Sequence, residues 1–146
     1  MSRKLNTTIA VIGIDIGKNS FHVVGLDQRG AIALRQKWSR GQVETRLANL
    51  PPCLIGMEAG ASAHFWARKL QALGHTVKLM APQYVKPYVK SNKNDAADAE
   101  AICEAVGRPN MRFVAVKSIE QQAVLALHRT RQGFIAERTA VINRIR

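Results

Sequence analysis

Ile9-Ala-Val-Ile-Gly-Ile-Asp15 is an apolar run that ends on a carboxylate, and Cys53-Leu-Ile-Gly-Met-Glu58 is a second one. With no polar alternation to interrupt it, residues 8–16 read as a strand covered on both faces. A buried strand rarely ends in a lone acid without a role. Two further acids, Asp95 and Asp98, stand three apart at the start of a helical pattern, so both project from one helix face. Acids are scarce, 10 Asp+Glu against 22 Lys+Arg, which makes their placement at the ends of buried elements informative.

The formal net charge of +12 predicts a polyanionic partner, nucleic acid before an anionic membrane surface. A membrane span is excluded, because no apolar run approaches the roughly 18 residues needed to cross a bilayer. The basic start Met1-Ser-Arg-Lys-Leu5 is followed by an apolar run with no small-residue cleavage site, and reads as the approach to a first strand rather than a signal peptide. Cys53 and Cys103 lie far apart without a CxxC or a nearby His pair, so they predict neither a zinc site nor a disulfide framework. They read as small buried hydrophobes in a reducing, cytoplasmic setting.

The order of elements follows from turn and cap signals. After the run to Asp15, residues 20–26 form a second strand. Asp27-Gln-Arg-Gly30 is a hairpin turn, and Ala31–Trp38 alternate as a third strand. Ser39 is placed to cap a helix over 41–50, stopped by Pro51-Pro52. Residues 53–57 form a fourth strand, 61–73 an amphipathic helix with Phe65, Trp66, Leu70 and Leu73 inward, and 75–80 a fifth strand. A helix over 94–106 follows. Residues 112–116 read as a short extended piece, and Ser118 with Gln121 is a capping box opening a long last helix. A meander followed by alternating helices and strands gives an α/β fold: a mixed five-stranded sheet with helices on both faces, of ribonuclease-H-like architecture. There the first and fourth strands are neighbours, and Asp15 and Glu58 emerge side by side.

Carboxylates on rigid elements suit two-metal phosphoryl chemistry, and hard Mg²⁺ (or Mn²⁺) prefers such oxygen ligands. Asp15, Glu58, Asp95 and Asp98 are therefore the candidate catalytic and metal-holding residues. Each of the last three also has a plainer reading as an acid in a helix's first turn, where the macrodipole favours it. Lys18, Lys86, Lys90 and Lys93 flank these acids and are candidate phosphate contacts, against the alternative of solvated loop lysines. Tyr84 and Tyr88 either stack on bases or pack on the core. His22, His64, His75 and His128 read as structural, with His64 near enough to Glu58 in sequence to approach a metal.

The segments Gly13-Ile-Asp-Ile-Gly-Lys18, Ile55-Gly-Met-Glu-Ala59 and Asn94-Asp-Ala-Ala-Asp-Ala-Glu-Ala-Ile102 resemble the DEDD-type insertion-sequence transposases related to the Piv DNA invertases. Leu79–Tyr88 and Glu120–His128 look like that family too. The resemblance implies a RuvC-like domain with a DEDD tetrad at Asp15, Glu58, Asp95 and Asp98. It further implies Mg²⁺, DNA transposition or recombination, and guidance by a structured RNA. In that family a serine-bearing domain follows a coiled coil, and it is expected to be absent here. The expected division is a RuvC-like domain over 1–116 and the start of a coiled coil over 117–146. Val124, Leu127, Phe134, Val141 and Ile145 follow a broken heptad with Arg131 and Arg138 in the seam, which points to self-association through this helix. Arg129 and Arg131 are candidate RNA contacts. The rivals are a Holliday-junction resolvase, a catalytically silent RNA-binding or dimerisation module, and an actin-like ATPase. The last needs a second lobe that 146 residues do not hold.

Overall fold

The computed structural model of the chain describes residues 8–90 and 94–145, the side chains of Asp95 and Ile145 excepted. The chain divides into two compact units, 1–116 and 117–146. The first unit holds six strands in the order β3-β2-β1-β4-β5-β6. Strands β1 (Ile9–Ile16), β2 (Ser20–Asp27) and β3 (Ile32–Ser39) form the antiparallel meander. Strands β4 (Leu54–Glu58) and β5 (Thr76–Met80) add in parallel beside β1. A two-residue strand, β6 (Phe113–Val114), pairs antiparallel with β5 and makes six strands where five were expected. It falls within the extended piece read at 112–116, but a two-residue pairing has no periodicity that would mark it as a sheet strand.

Helices α1 (Val43–Ala48) and α2 (Ala61–Ala72) contribute Val43, Leu47, Trp66 and Leu70 to the main core, against Ile12, Ile14, Ile55 and Met57 of β1 and β4. Alternation along the strands sends Val11, Gly13 and Asp15 to the other face. Helix α4 (Asp95–Val106) lies there, packing Ala99, Cys103, Ile102 and Val106 against Val11, Val24, Leu54 and Met80. Between β5 and α4 come a short helix α3 (Pro82–Val85) and a 3-10 turn at Lys86–Tyr88.

Two glycines decide how close α4 comes. Gly13 and Gly56 are register partners on β1 and β4. A Cβ on Gly13 would run into the Ala99 carbonyl oxygen and the Cys103 backbone, and one on Gly56 would come within 2.7 Å of Val106 Cβ. The missing side chains let the α4 backbone rest on Gly13 and the Val106 side chain rest on Gly56. Ion pairs link the middle of α4 and its C-terminal turn: Arg35 to Glu100 at 3.1 Å, and Glu104 to Lys90 at 3.2 Å and to Arg108 at 2.9 Å.

Several local expectations shift. Ser39 does not cap α1; the β2 ladder carries the strand through Ser39, and α1 begins later, after Gln42, without a side-chain cap. Phe65 is 46% exposed, so α2 buries Trp66 and Leu70 but not Phe65. His75 is a buried linker. Its Nε2–H donates to the Leu47 carbonyl at 2.8 Å and its Nδ1 accepts the Cys53 N–H at 3.2 Å, which fixes the tautomer.

The second unit is the long helix α5 (Ile119–Ile145). Its start carries the expected capping box: the Gln121 N–H donates to Ser118 Oγ at 3.1 Å, and the Ser118 N–H donates to Gln121 Oε1 at 2.9 Å. Val124, Leu127 and Phe134 are each more than 60% exposed on it.

Gly13→Ala should destabilise the chain by about 1–3 kcal/mol, because backbone atoms of α4 cannot step aside as a flexible side chain would. Gly41→Ala, where a Cβ meets nothing within 4 Å, should stay within about 0.5 kcal/mol of the parent. Urea midpoints of the two variants measure the contrast, and equal midpoints would refute the close-approach role.

Candidate active site

The site starts from the strand ends. Pairing between β1 and β4 runs from Val11↔Leu54 to Ile14↔Met57. One further step in that register sets Asp15 beside Glu58, both on the α4 face because they lie two residues beyond Gly13 and Gly56. Both are half-buried. Across β2, Asp15 pairs with His22, which shares its face.

Helix α4 brings the other acids. Asn94 is its N-cap, with Oδ1 accepting the Ala97 N–H at 2.7 Å. Asp95 is the first helical residue and Asp98 lies one turn on, half-buried rather than solvated. Asp98 is electrostatically coupled to Glu58. Burial first, and the Asp98 charge second, push the Glu58 carboxyl above its ordinary range. Among the described residues no group of three or more His, Cys, Asp or Glu stands close enough to hold a metal. The Asp95 side chain lies outside that set. The β1–β4 register ends one residue before Asp15 and Glu58, and the Glu58 carboxyl feels the Asp98 charge. The donors are all hard oxygens on rigid elements, which fit Mg²⁺, and a cation would offset the cost of holding Glu58 against Asp98.

The flanking cations are placed less uniformly. Lys18 is exposed in the β1–β2 turn, three residues past Asp15, and Lys86 is exposed at the start of the 3-10 turn. Lys90 is exposed but spans to Glu104. Burial pushes the Glu104 carboxyl up, yet Lys90 and Arg108 outweigh it and hold it below the usual carboxylate value. Lys93 lies outside the described residues. Arg129 and Arg131 are exposed on α5. Tyr88 is half-buried under the Arg108 guanidinium, 5.5 Å from its ring, whereas Tyr84 is 40% exposed. His64 is buried in α2.

Sequence reasoning missed the positioning role of Gly13 and Gly56. The signal was present: both runs read Gly, apolar residue, acid, so each carboxylate is preceded on its own face by a residue with no side chain.

The fold defines the class. A RuvC from T. thermophilus, solved in complex with a Holliday junction substrate, superposes with a TM-score of 0.52 at 15% identity, covering 66% of this chain and 91% of that one. This is a ribonuclease-H-like, RuvC-like α/β domain followed by a long helix. A family profile described as a transposase, of the DEDD IS110 type, matches residues 12–146. The chain belongs to that transposase family. It is 55% identical over 135 residues to a probable family 20 transposase of Pseudomonas aeruginosa, covering 92% of this chain and 40% of that protein. It is 51% identical over 137 residues to the transposase for insertion sequence element IS1328 of Yersinia enterocolitica, covering 94% and 41%. It is 42% identical over 144 residues to the transposase for insertion sequence element IS1111A of Coxiella burnetii, covering 99% and 40%. The chain spans about two-fifths of the length of these curated relatives. No helix among the described residues is long and apolar enough to cross a membrane.

The raised Glu58 carboxyl has a sign that can be checked. The folded chain keeps this proton to higher pH than the unfolded chain, so unfolding free energy falls as pH rises from the unfolded value to the raised folded one. Asp98→Asn removes the second cause and leaves burial, so the Glu58 midpoint should move down without returning fully to normal. Carboxyl-carbon NMR titration reads this, and an unmoved midpoint would disprove the coupling.

Proposed function

We infer that residues 1–116 are the catalytic domain of an insertion-sequence transposase, cutting DNA strands at a Mg²⁺-dependent site of Asp15, Glu58, Asp95 and Asp98. What supports this reading is the β1–β4 register, which ends on Ile14 and Met57 directly before Asp15 and Glu58, together with the Asp98 charge felt at Glu58. Acids at the ends of rigid elements in a chain of net charge +12 suit cations that meet phosphodiesters. Bound Mg²⁺ supplies Lewis-acid activation of the phosphate and of the attacking oxygen. Asp15 and Glu58 hold their positions through strand pairing, and Asp95 and Asp98 through the helix that Gly13 and Gly56 admit. Mn²⁺ fits the same oxygen donors.

Lys18 and Lys86 belong to this reading as exposed contacts to the DNA backbone. Lys90 joins them when DNA displaces its exposed pairing with Glu104, and Lys93 extends the same basic run. Residues 117–146 serve as the start of a coiled coil. Exposed Val124, Leu127 and Phe134 support self-association, and Arg129 and Arg131 give a structured guide RNA its phosphate contacts. A junction-resolving nuclease shares the fold, but the family match over residues 12–146 favours transposition.

Calorimetry with millimolar Mg²⁺ should detect binding to the parent chain. Asp15→Asn and Glu58→Gln should each weaken it by more than the roughly 100-fold expected of an outer-shell change, with the fold unaltered by circular dichroism. Metal-dependent nicking of DNA should vanish in both variants. No Mg²⁺ binding by the parent, or undiminished binding by Asp15→Asn, would overturn the assignment.

A further inference from the structure

The α4 face of the sheet carries one continuous row of ionisable side chains. Lys37 on β3 pairs with His22 on β2, His22 pairs with Asp15 on β1, and one further register step leads from Asp15 to Glu58 on β4. Directly paired residues share a face, so the row passes from a cation at the sheet edge to the two strand-end acids. Beside its cationic end lies a cleft of about 190 Å³, lined by His22, Arg35 and Lys37 together with Ala96 in the first turn of α4. Arg35 is held there by Glu100 at 3.1 Å. The cleft thus has a largely cationic wall, and its His22 is the register partner of Asp15, with neighbouring strands about 4.8 Å apart. Two strand spacings separate Lys37 from Asp15. A nucleic-acid backbone laid along the row passes over both residues.

We propose that this cleft is a phosphate subsite, in which Lys37 neutralises the backbone phosphate next to the one lying over Asp15 and Glu58, with His22 and Arg35 as its walls. The assignment rests on the reading of Asp15 and Glu58 as the cutting site, and it adds the edge at which the nucleic-acid strand enters. Lys37 is a positioning residue for that strand. An edge-strand lysine also commonly guards a sheet against pairing with another chain, and that role predicts no effect on nucleic-acid binding.

The test measures binding of a fluorescein-labelled DNA single strand, and of the RNA with the same sequence, in EDTA across a salt series. Cleavage and metal binding then play no part, so the result is independent of the Mg²⁺ experiments. Lys37→Gln should lower the slope of log K against log salt by about 0.7, the release expected for one phosphate contact on a single strand. Lys37→Arg should restore the slope. Lys69→Gln, on α2 and paired with Glu44 at 3.0 Å, should leave it unchanged. The same loss on DNA and RNA supports the proposal, since both present the same phosphate, and a loss on DNA alone supports it with DNA as the source. An unchanged slope for Lys37→Gln, an equal loss for Lys69→Gln, a loss confined to RNA, or no binding by the parent at any salt would overturn it. Native melting temperatures of the variants confirm that the comparison is between folded proteins.

Discussion

The contact between α4 and the paired glycines Gly13 and Gly56 is the constraint on which the rest of the first unit depends. At Gly13 the α4 backbone rests on the strand backbone, and at Gly56 the Val106 side chain fills the space a Cβ would take. Each glycine sits two residues before an acid on the same strand, so the feature that admits the helix also sets how near Asp98 comes to Glu58. The ion pairs Arg35–Glu100 and Lys90–Glu104–Arg108 then hold α4 at its two sides. They are exposed and individually weak. The glycine contact, more than the charges, sets the helix position.

The acids divide by what they face. Asp27 accepts the N–H groups of Arg29 and Ala31 in the β2–β3 turn. Glu44, Glu100 and Glu104 each meet a lysine or arginine. Glu58 instead meets another acid, and its carboxyl is destabilised as an anion as a result. In a chain with twelve more cations than anions, a like-charged acid pair is not a by-product of composition. Perturbed carboxyls of this kind cluster at functional sites because their cost is met by a ligand or a reaction.

Much of this was legible in the sequence, for identifiable reasons. Continuous apolar runs marked β1 and β4, the hairpin signal at Asp27–Gly30 marked the meander, and the ribonuclease-H-like architecture they compose makes β1 and β4 neighbours, as the pairing shows. The Ser118–Gln121 capping box was legible because it is local. What did not show was non-local. Ser39 is drawn into the sheet by its pairing with Ser20 rather than released to cap a helix. Phe65 sits in an amphipathic pattern yet faces outward, because Trp66 takes the place against Phe21, with ring centroids 5.0 Å apart. The row from Lys37 to Glu58 crosses four strands, and no window along one strand contains it.

Cys103 sits at the glycine contact itself. Its backbone is one of the groups a Gly13 side chain would strike, and its thiol donates to the Val11 carbonyl at 3.6 Å. Burial pushes that thiol up to about 12, so it stays protonated and inert while the helix lies on the sheet. Only when α4 lifts does the sulfur meet solvent and regain its ordinary reactivity. The rate at which an alkylating reagent consumes Cys103 therefore reports how readily the seat of the acid-bearing helix opens, locally or with the whole domain.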